Sequence, residues 1–345
     1  MSKAMTGTTR RELIVHRAGP AVTVQDGGRP GWIAYGLSRG GAMDRMALAE
    51  AAALLGQGES AALEMGGMGG RFEAGCDLRI ALTGAPMRAS IDGAPVVWHA
   101  CHALPKAAVL EIGPLQAGAY GYLSVGGGLA PDEILGAVSA HLTAGLGRAI
   151  EAGDRIRVGA DRGSAVARKL AVEDRFSGGA LRVVESLQTR LFPEEQRARL
   201  ETTRFTRDAR ANRMGAKVVA EGEPFGVEGG LSVVSEIITP GDIQVTGDGA
   251  PFVLLAECQT TGGYPRLATV IPADLPSIAQ APAGAELRFR FVSMDEALAA
   301  EAAHRAALKE MPRRVEPLVR HPGDVPDLLG YKLVSGFSNG EHHDH

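Results

Sequence analysis

The sequence predicts a mainly β protein with a few helices, arranged as two strand-rich halves. Between Ala61 and Pro131, short apolar or β-branched runs follow one another closely, separated by turn signals such as Asp92-Gly93 and Gly113-Pro114. Such spacing belongs to a sandwich or barrel, not to a doubly wound sheet. A length of 345 residues with a 45% hydrophobic fraction fills the cores of about two ordinary domains, while 46 glycines against 5% aromatics require many tight turns. A turn leading into an alternating strand also recurs. It closes one region at Ala152-Gly153-Asp154-Arg155-Ile156-Arg157-Val158 and another at Ala283-Gly284-Ala285-Glu286-Leu287-Arg288-Phe289-Arg290-Phe291, with a shorter echo at Pro240–Val245.

Composition narrows the function classes. A formal charge of −4 without a long basic run leaves no electrostatic footprint for nucleic acid. Three cysteines, Cys76, Cys101 and Cys258, without close paired spacing suit buried thiols in a reducing compartment rather than a disulfide framework. The polar start Met1–Glu12 lacks the apolar core of a signal peptide, and no run reaches the ~18 apolar residues that span a bilayer. The expectation is a soluble cytoplasmic protein with no membrane partner.

In chain order, Leu13-Ile14-Val15 and Val22-Thr23-Val24 read as strands around a Gly19-Pro20 turn. Gln25-Asp26-Gly27-Gly28-Arg29-Pro30-Gly31 then forms a polar loop, in which Asp26 and Arg29 either brace the backbone or grip a carboxylate. Asp44 suits the N-cap of an alanine-rich helix over Arg45–Leu55 stopped by Gly56, with Met43 and Leu48 at the staple positions. Arg39-Gly40-Gly41 ahead of that helix can hold an anion. Strands follow at Ala62-Leu63-Glu64, 78–83, 89–91, 96–98, 109–112 and 121–125. Gly126-Gly127-Gly128 lacks the spacing and the following helix of a nucleotide fold. His99 and His102 flank Cys101 without a fourth ligand at suitable spacing, so no metal site is expected.

These readings divide the chain into an N-terminal β-barrel domain over 13–160, a connection over 161–180, a second β domain over 181–292, and a helix with a tail over 293–345. In the second domain a strand at 181–184 and a short helix after Pro193 precede Asn212-Arg213-Met214-Gly215. Asn212 and Arg213 either grip an amide or carboxylate or make a turn with a surface charge. Gln244, on an alternating strand, points into a pocket or into the core. The apolar strand Phe252–Ala256 opens into Gln259-Thr260-Thr261-Gly262-Gly263-Tyr264-Pro265, and Leu267–Ile271 is the next strand. Glycine pairs let backbone approach a ligand closely, so this run is either a binding wall or a well-built hairpin. Ser293-Met294-Asp295-Glu296 is a capping box for a helix ending before Pro312, and His342, His343 and His345 end a polar tail.

Together, Val24-Gln25-Asp26, Gly28-Arg29-Pro30-Gly31, Gly41-Ala42-Met43-Asp44, Asn212–Gly215, Gln259–Pro265 and Ala273-Asp274-Leu275 carry a resemblance. Over about residues 13–292 the chain resembles the biotin-dependent carboxyltransferase-like family. That family includes the C subunit of bacterial 5-oxoprolinase, allophanate hydrolase subunit 2, the kinase-inhibitor antagonist KipA and the carboxyltransferase domain of urea carboxylase. The resemblance implies two cyclophilin-like β-barrel domains and a partner like KipI or the oxoprolinase B subunit, with a LamB/YcsF-like A subunit in an oxoprolinase. It implies three activities: ATP-dependent opening of a small lactam to glutamate, carboxyl transfer from biotin carried on a partner, or KipA-like antagonism without catalysis. ATP belongs to the complex rather than to this chain.

In the first activity, Gln259, Thr260, Thr261 and the Gly262 and Gly263 amides donate to the developing charge, and Tyr264 closes the pocket or shuttles a proton. Asn212 and Arg213 orient a carboxylate, with Gln244, Asp26, Arg29 and Arg39 lining the same pocket. Arg39-Gly40 stands where family members often carry Pro-Ser, which changes the charge that a ligand meets.

Overall fold

In the computed structural model, residues 10–220, 222–227 and 233–319 are described. The first half is two packed sheets. One has six strands in the order Arg155–Arg157, Glu12–Ala18, Gly70–Ala74, Val109–Leu115, Met87–Ile91, Ala94–Pro95. The other has seven, ordered Thr23–Gln25, Ala62–Gly66, Tyr120–Val125, Leu78–Gly84, Ala100–Leu104, Arg168–Leu170, Val315–Pro317. Leu13, Val15, Phe72 and Leu110 from one inner face meet Leu63, Ile80, Leu82 and Leu123 from the other in one core. The period of two along Glu12–Ala18, with Leu13 and Val15 inward and Ile14 and His16 less buried, sets which face is core. Leu78–Gly84 is buried along its whole length because α1 (Arg45–Leu55) covers its other face.

Helix α1 has its predicted limits. The Asp44 carboxylate accepts the Ala47 N–H at 3.3 Å, and Gly56, left-handed at φ 63°, ends the helix. Its staple does not form as expected. Leu48 packs with Tyr122 in the first half, whereas Met43 enters the core of the second half, so the cap anchors two bodies instead of one helix turn. The strand expected over 96–98 is a loop: the Trp98 indole donates to the Thr83 and Gly84 carbonyls, and His99 adopts φ 53° before pairing resumes at Ala100.

The second half closes a barrel of Gly179–Val184, Arg266–Val270, Asp242–Val245, Pro251–Leu254, Gly215–Ala220, Phe205–Arg207 and Glu286–Phe291. Parallel pairing of the first with the last shuts it. Phe205 and Phe289 meet edge to face at 5.1 Å inside. Helix α2 (Glu194–Thr202) starts after Pro193, and α3 (Leu275–Gln280) follows the strand Arg266–Val270.

The segment read as a connection, 161–180, contributes Arg168–Leu170 to the seven-stranded sheet. The predicted capping box at Ser293 and Glu296 opens α4 (Met294–Glu310), after which Val315–Pro317 pairs with Arg168–Leu170. The chain thus leaves the barrel and returns to the first half's sheet. The tail histidines lie outside the described residues. No described helix is long and apolar enough to cross a membrane, which says nothing of strands.

His99 donates to the Gly84 carbonyl at 2.8 Å and stacks on Phe176. Burial chiefly, and then the Arg175 guanidinium, push its pKa down to about 4. The unfolded chain takes this proton first, so the stability involved is present above the ordinary imidazole range and is lost as pH falls towards about 4, by up to about 3 kcal/mol. In urea denaturation, wild type minus His99→Gln should show that loss between neutral pH and pH ~4 as a pH-dependent difference.

Candidate functional site at the junction of the two halves

The two halves meet over a chain of buried polar side chains. Arg213 leaves the second half from the turn before Gly215. Its Nε donates to Glu257 at 2.5 Å, its Nη2 to the Gly41 carbonyl at 2.6 Å, and its Nη1 to Glu64 in the first half. The second oxygen of Glu64 accepts the Tyr122 hydroxyl at 2.6 Å and the Met43 N–H at 2.8 Å, and Tyr122 in turn accepts the Asp44 N–H. Asp44 then accepts Arg175 Nε at 2.7 Å and Gln280 Nε2 at 2.8 Å, while Gln280 Oε1 accepts the Ala119 and Tyr120 N–H groups. Arg175 finally donates to Glu50 at 2.7 Å.

Burial opposes the charge on Arg213, but Glu64 and Glu257 more than offset it and hold the guanidinium protonated. Burial likewise raises the Glu257 carboxyl, yet Arg213 pulls it below its ordinary value. Backbone approach is equally tight: a Cβ on Gly41, at φ 83°, would lie 2.6 Å from the Gly28 nitrogen.

Above this network, loop 39–46, Leu255-Ala256, Pro272–Pro276 and α4 enclose a cavity of about 550 Å³. Met43, Met46, Leu255 and Leu275 give it an apolar wall, and its charged groups include Arg39, Arg45, Glu59 and Glu301. Glu301 is taken by Arg305 at 3.0 Å. Among the described residues, Arg39 and Arg45 form no salt bridge; Arg39 donates only to the Gly27 carbonyl at 2.9 Å. Burial, and then repulsion by Arg45, lower the Arg39 pKa. An anion between the two guanidiniums would offset that repulsion.

Several predicted residues converge here, though in other roles. Asp26 accepts the Gly28 and Val138 N–H groups at 2.8 Å each, which is bracing. Arg29 is 1% exposed and donates to the Ser139 carbonyl at 2.5 Å, so it braces the loop over 134–140. Asn212 caps its own turn through the Met214 N–H at 2.8 Å. Arg213, expected to orient a ligand carboxylate, instead commits all three of its nitrogens to protein acceptors. Of the expected binding residues, Arg39 lines the cavity.

The Gln259–Pro265 run leaves this cluster. Thr261-Gly262 pairs with Glu236-Ile237 in a short ribbon, with Gln259 and Tyr264 exposed and Thr260 buried. Leu255 and Ala256, just upstream, reach the cavity wall in its place. Gln244 is 6% exposed, lies against Gly262 and has no partner for its amide nitrogen among the described residues. It therefore faces the ribbon rather than the 550 Å³ cavity.

Sequence reasoning missed Glu257, Arg175, Tyr122 and Gln280 as site-forming groups. The available signal was a carboxylate inside or at the end of an apolar run, as at Glu64 and Glu257, which needs a buried partner.

Ser38, His141 and Glu257 resemble a hydrolytic triad, with Ser38 Oγ 2.8 Å from His141 Nε2. Nδ1 accepts the Ala144 N–H at 3.2 Å, however, so the neutral ring carries its proton on Nε2 and donates it to the serine. That arrangement cannot take the hydroxyl proton. No group of three His, Cys, Asp or Glu among the described residues is placed to hold a metal ion.

Residues 35–291 match the family model for the carboxyltransferase domain, subdomain A and B, and the chain belongs to that family. It is 31% identical over 282 residues to the 5-oxoprolinase C subunit of Haemophilus influenzae, covering 80% of this chain and 89% of the relative. It is 33% identical over 296 residues to the 5-oxoprolinase C subunit of Escherichia coli, covering 84% and 94%. The crystal structure of TTHA0988 superimposes with a TM-score of 0.75 at 32% identity, over 81% of this chain and 56% of that one, so this chain spans little more than half of its length. Kluyveromyces lactis urea carboxylase superimposes with a TM-score of 0.78 over 92% of this chain and 31% of its own; at 20% identity this shows the fold alone.

Arg213→Ala strands Glu64 and Glu257 without their cation and should cost about 3–5 kcal/mol near neutral pH. Because Arg213 depresses the Glu257 pKa, the stability from this pair is present above the ordinary carboxylate range and is lost as pH falls through the depressed value. The penalty measured by denaturant unfolding should therefore be smaller at pH ~4 than at pH ~7.

Proposed function

We propose that the chain is the C subunit of an ATP-dependent 5-oxoprolinase that opens a small lactam to glutamate together with partner chains. The observation that carries this reading is the junction cavity, where Arg39 and Arg45, which form no salt bridge among the described residues, stand beside an apolar wall. A lactam ring with one carboxylate has the matching chemistry: the anion lies between Arg39 and Arg45, and the ring lies against Met43 and Leu255. The relatives named as C subunits of 5-oxoprolinase support the same reading.

Opening a lactam needs its carbonyl made electrophilic and its developing charge held. Among the described residues, the cavity is lined by no thiol, hydroxyl or lysine amine, so the activating group comes from another chain. ATP supplies that activation when bound to the complex. This chain's glycine-rich run is a poor phosphate cradle, because Gly126 backs onto the carboxylate of Asp161. The partners are accordingly a KipI-like B subunit and a LamB/YcsF-like A subunit, and this chain's part is to bind and orient the anion in the cytoplasm. Gln259, Thr261 and Tyr264 are exposed, outside the cavity lining, and in this reading they act only once a partner docks over them. A second reading, carboxyl transfer from biotin carried on a partner, is favoured by the carboxyltransferase family match.

The test is ATP-dependent glutamate release from 5-oxoproline by the reconstituted complex. Arg39→Ala should raise KM by about ten-fold with a smaller effect on kcat, as expected for lost ground-state binding. Absence of turnover in a complex of verified composition would sink the oxoprolinase reading.

A further inference from the structure

Helix α4 walls the junction cavity from outside the region that the carboxyltransferase family shares. The family match ends at residue 291 and α4 begins at Met294, yet Glu301, His304, Arg305 and Leu308 line the 550 Å³ cavity together with Arg39 and Arg45. The helix is loosely seated. It buries one residue, Ala297, along its 17 positions. Ala300, Ala303 and Ala307, recurring at helical spacing, line a further space of about 400 Å³ against Met46 of α1. Methyl groups beside an open space forfeit the dispersion contacts of a filled core. Among the described residues, the ion pairs of this segment beyond the first turn are internal, Glu301 with Arg305 and Glu310 with Arg313, so they hold α4 to neither half.

Its two ends are built differently. At the start, the Val292 N–H donates to the Val183 carbonyl of the barrel at 2.9 Å, and the Ser293–Glu296 capping box closes the first turn on itself. Ala297 packs there with Ile271 and Val292. At the far end, Met311 enters the α1 cluster, Arg314 donates to the Ala171 carbonyl at 3.2 Å, and Val315–Pro317 pairs with Arg168–Leu170. That strand is three residues long, lies at the edge of its sheet and ends in a proline without an N–H. Few buried apolar contacts and a short edge strand are the features of segments that open without global unfolding.

We propose that residues 293–317 are a hinged strap over the junction cavity, closed in this structure. It opens by withdrawing Met311 and parting Val315–Pro317 from Arg168–Leu170, while α4 turns as one body about Val292 and Ser293. The junction network stays intact, because among the described residues Arg213, Glu64, Glu257 and Asp44 make no bond to the strap. Opening takes Glu301, His304, Arg305 and Leu308 out of the cavity wall and uncovers Arg39, Arg45 and Leu275. A substrate and a group supplied by another chain then reach the cavity from the same side. The strap controls access for any ligand of this cavity, whether or not that ligand is 5-oxoproline.

Hydrogen exchange of the full chain, read by mass spectrometry, tests the opening. Amides over 294–316 should exchange at least about a hundred-fold faster than those of the barrel strand Gly179–Val184. Met311→Ala should speed exchange over 294–316 by about a further ten-fold and leave Gly179–Val184 unchanged. Lys169→Cys with Glu316→Cys, opposite each other in the strand register, should slow it once oxidised to a disulfide. Access is read at Leu275→Cys with a maleimide too bulky for the closed cavity, located by peptide mapping because Cys76, Cys101 and Cys258 are buried thiols. Its labelling should be about ten-fold faster when Met311→Ala is added. Equal exchange over 294–316 and Gly179–Val184, a Met311→Ala effect shared by both, no slowing by the disulfide, or labelling indifferent to Met311→Ala overturns the proposal. None of these readouts uses turnover, so failure here leaves the oxoprolinase reading to its own test.

Discussion

The guanidinium of Arg213 lies between Glu64 of one half and Glu257 of the other, and the remainder of the junction is built outward from it. Removing charges from water is expensive, and a buried ion pair is weak evidence for net stability. Breaking one is a different matter, because the stranded carboxylate has no water to turn to. The two halves therefore have one well-satisfied relative placement: a shift between them would take Arg213 from Glu64 and Gln280 from Asp44 together. Met43 works to the same end by apolar means, since its backbone N–H binds Glu64 while its side chain enters the second core.

The same network decides which arginines are available to a ligand. Arg213, Arg175 and Arg39 carry the same guanidinium, but the first has protein acceptors on all three nitrogens and the second retains one free nitrogen among the described residues. Arg39 has one carbonyl and a neighbouring Arg45 that repels it. Burial and residue type alone would rank Arg213 first as a binding residue. Counting acceptors reverses that order.

What the sequence disclosed was mainly local. Asp44 and Gly56 delimit α1, and Ser293 with Glu296 opens α4, because caps are satisfied within a few residues of themselves. The strand-rich halves followed from short alternating runs. Barrel closure through the parallel pair at Gly179–Val184 and Glu286–Phe291 has no local signature, since its partners are about a hundred residues apart. The motifs around Asp26, Gly41, Arg213 and Ala256 do share one neighbourhood, but side-chain direction was not legible from residue type. Arg213 lies close to the cavity and turns into the network; Leu255-Ala256 replaces Gln259 in the wall because chain pairing carries Thr261-Gly262 away to Glu236-Ile237.

Those two departures point the same way. A run with an amide, two hydroxyls, two glycines and a phenol would be spent on a turn if the hairpin reading were complete, yet a turn needs neither the exposed Gln259 nor the exposed Tyr264. At the junction, the nitrogens of Arg213 and both oxygens of Glu64 are buried and committed to protein partners. At its edge, the ribbon leaves the side chains of Gln259, Thr261 and Tyr264 in water, while the cavity of about 550 Å³ holds guanidiniums but, among the described residues, lacks a thiol, hydroxyl or lysine amine. The guanidinium-lined cavity and the exposed side chains of Gln259 and Tyr264 thus lie on different parts of one chain. Such a separation is consistent with a reaction centre completed by a second chain docked across the ribbon, because exposed donors gain strength once a partner excludes water from around them.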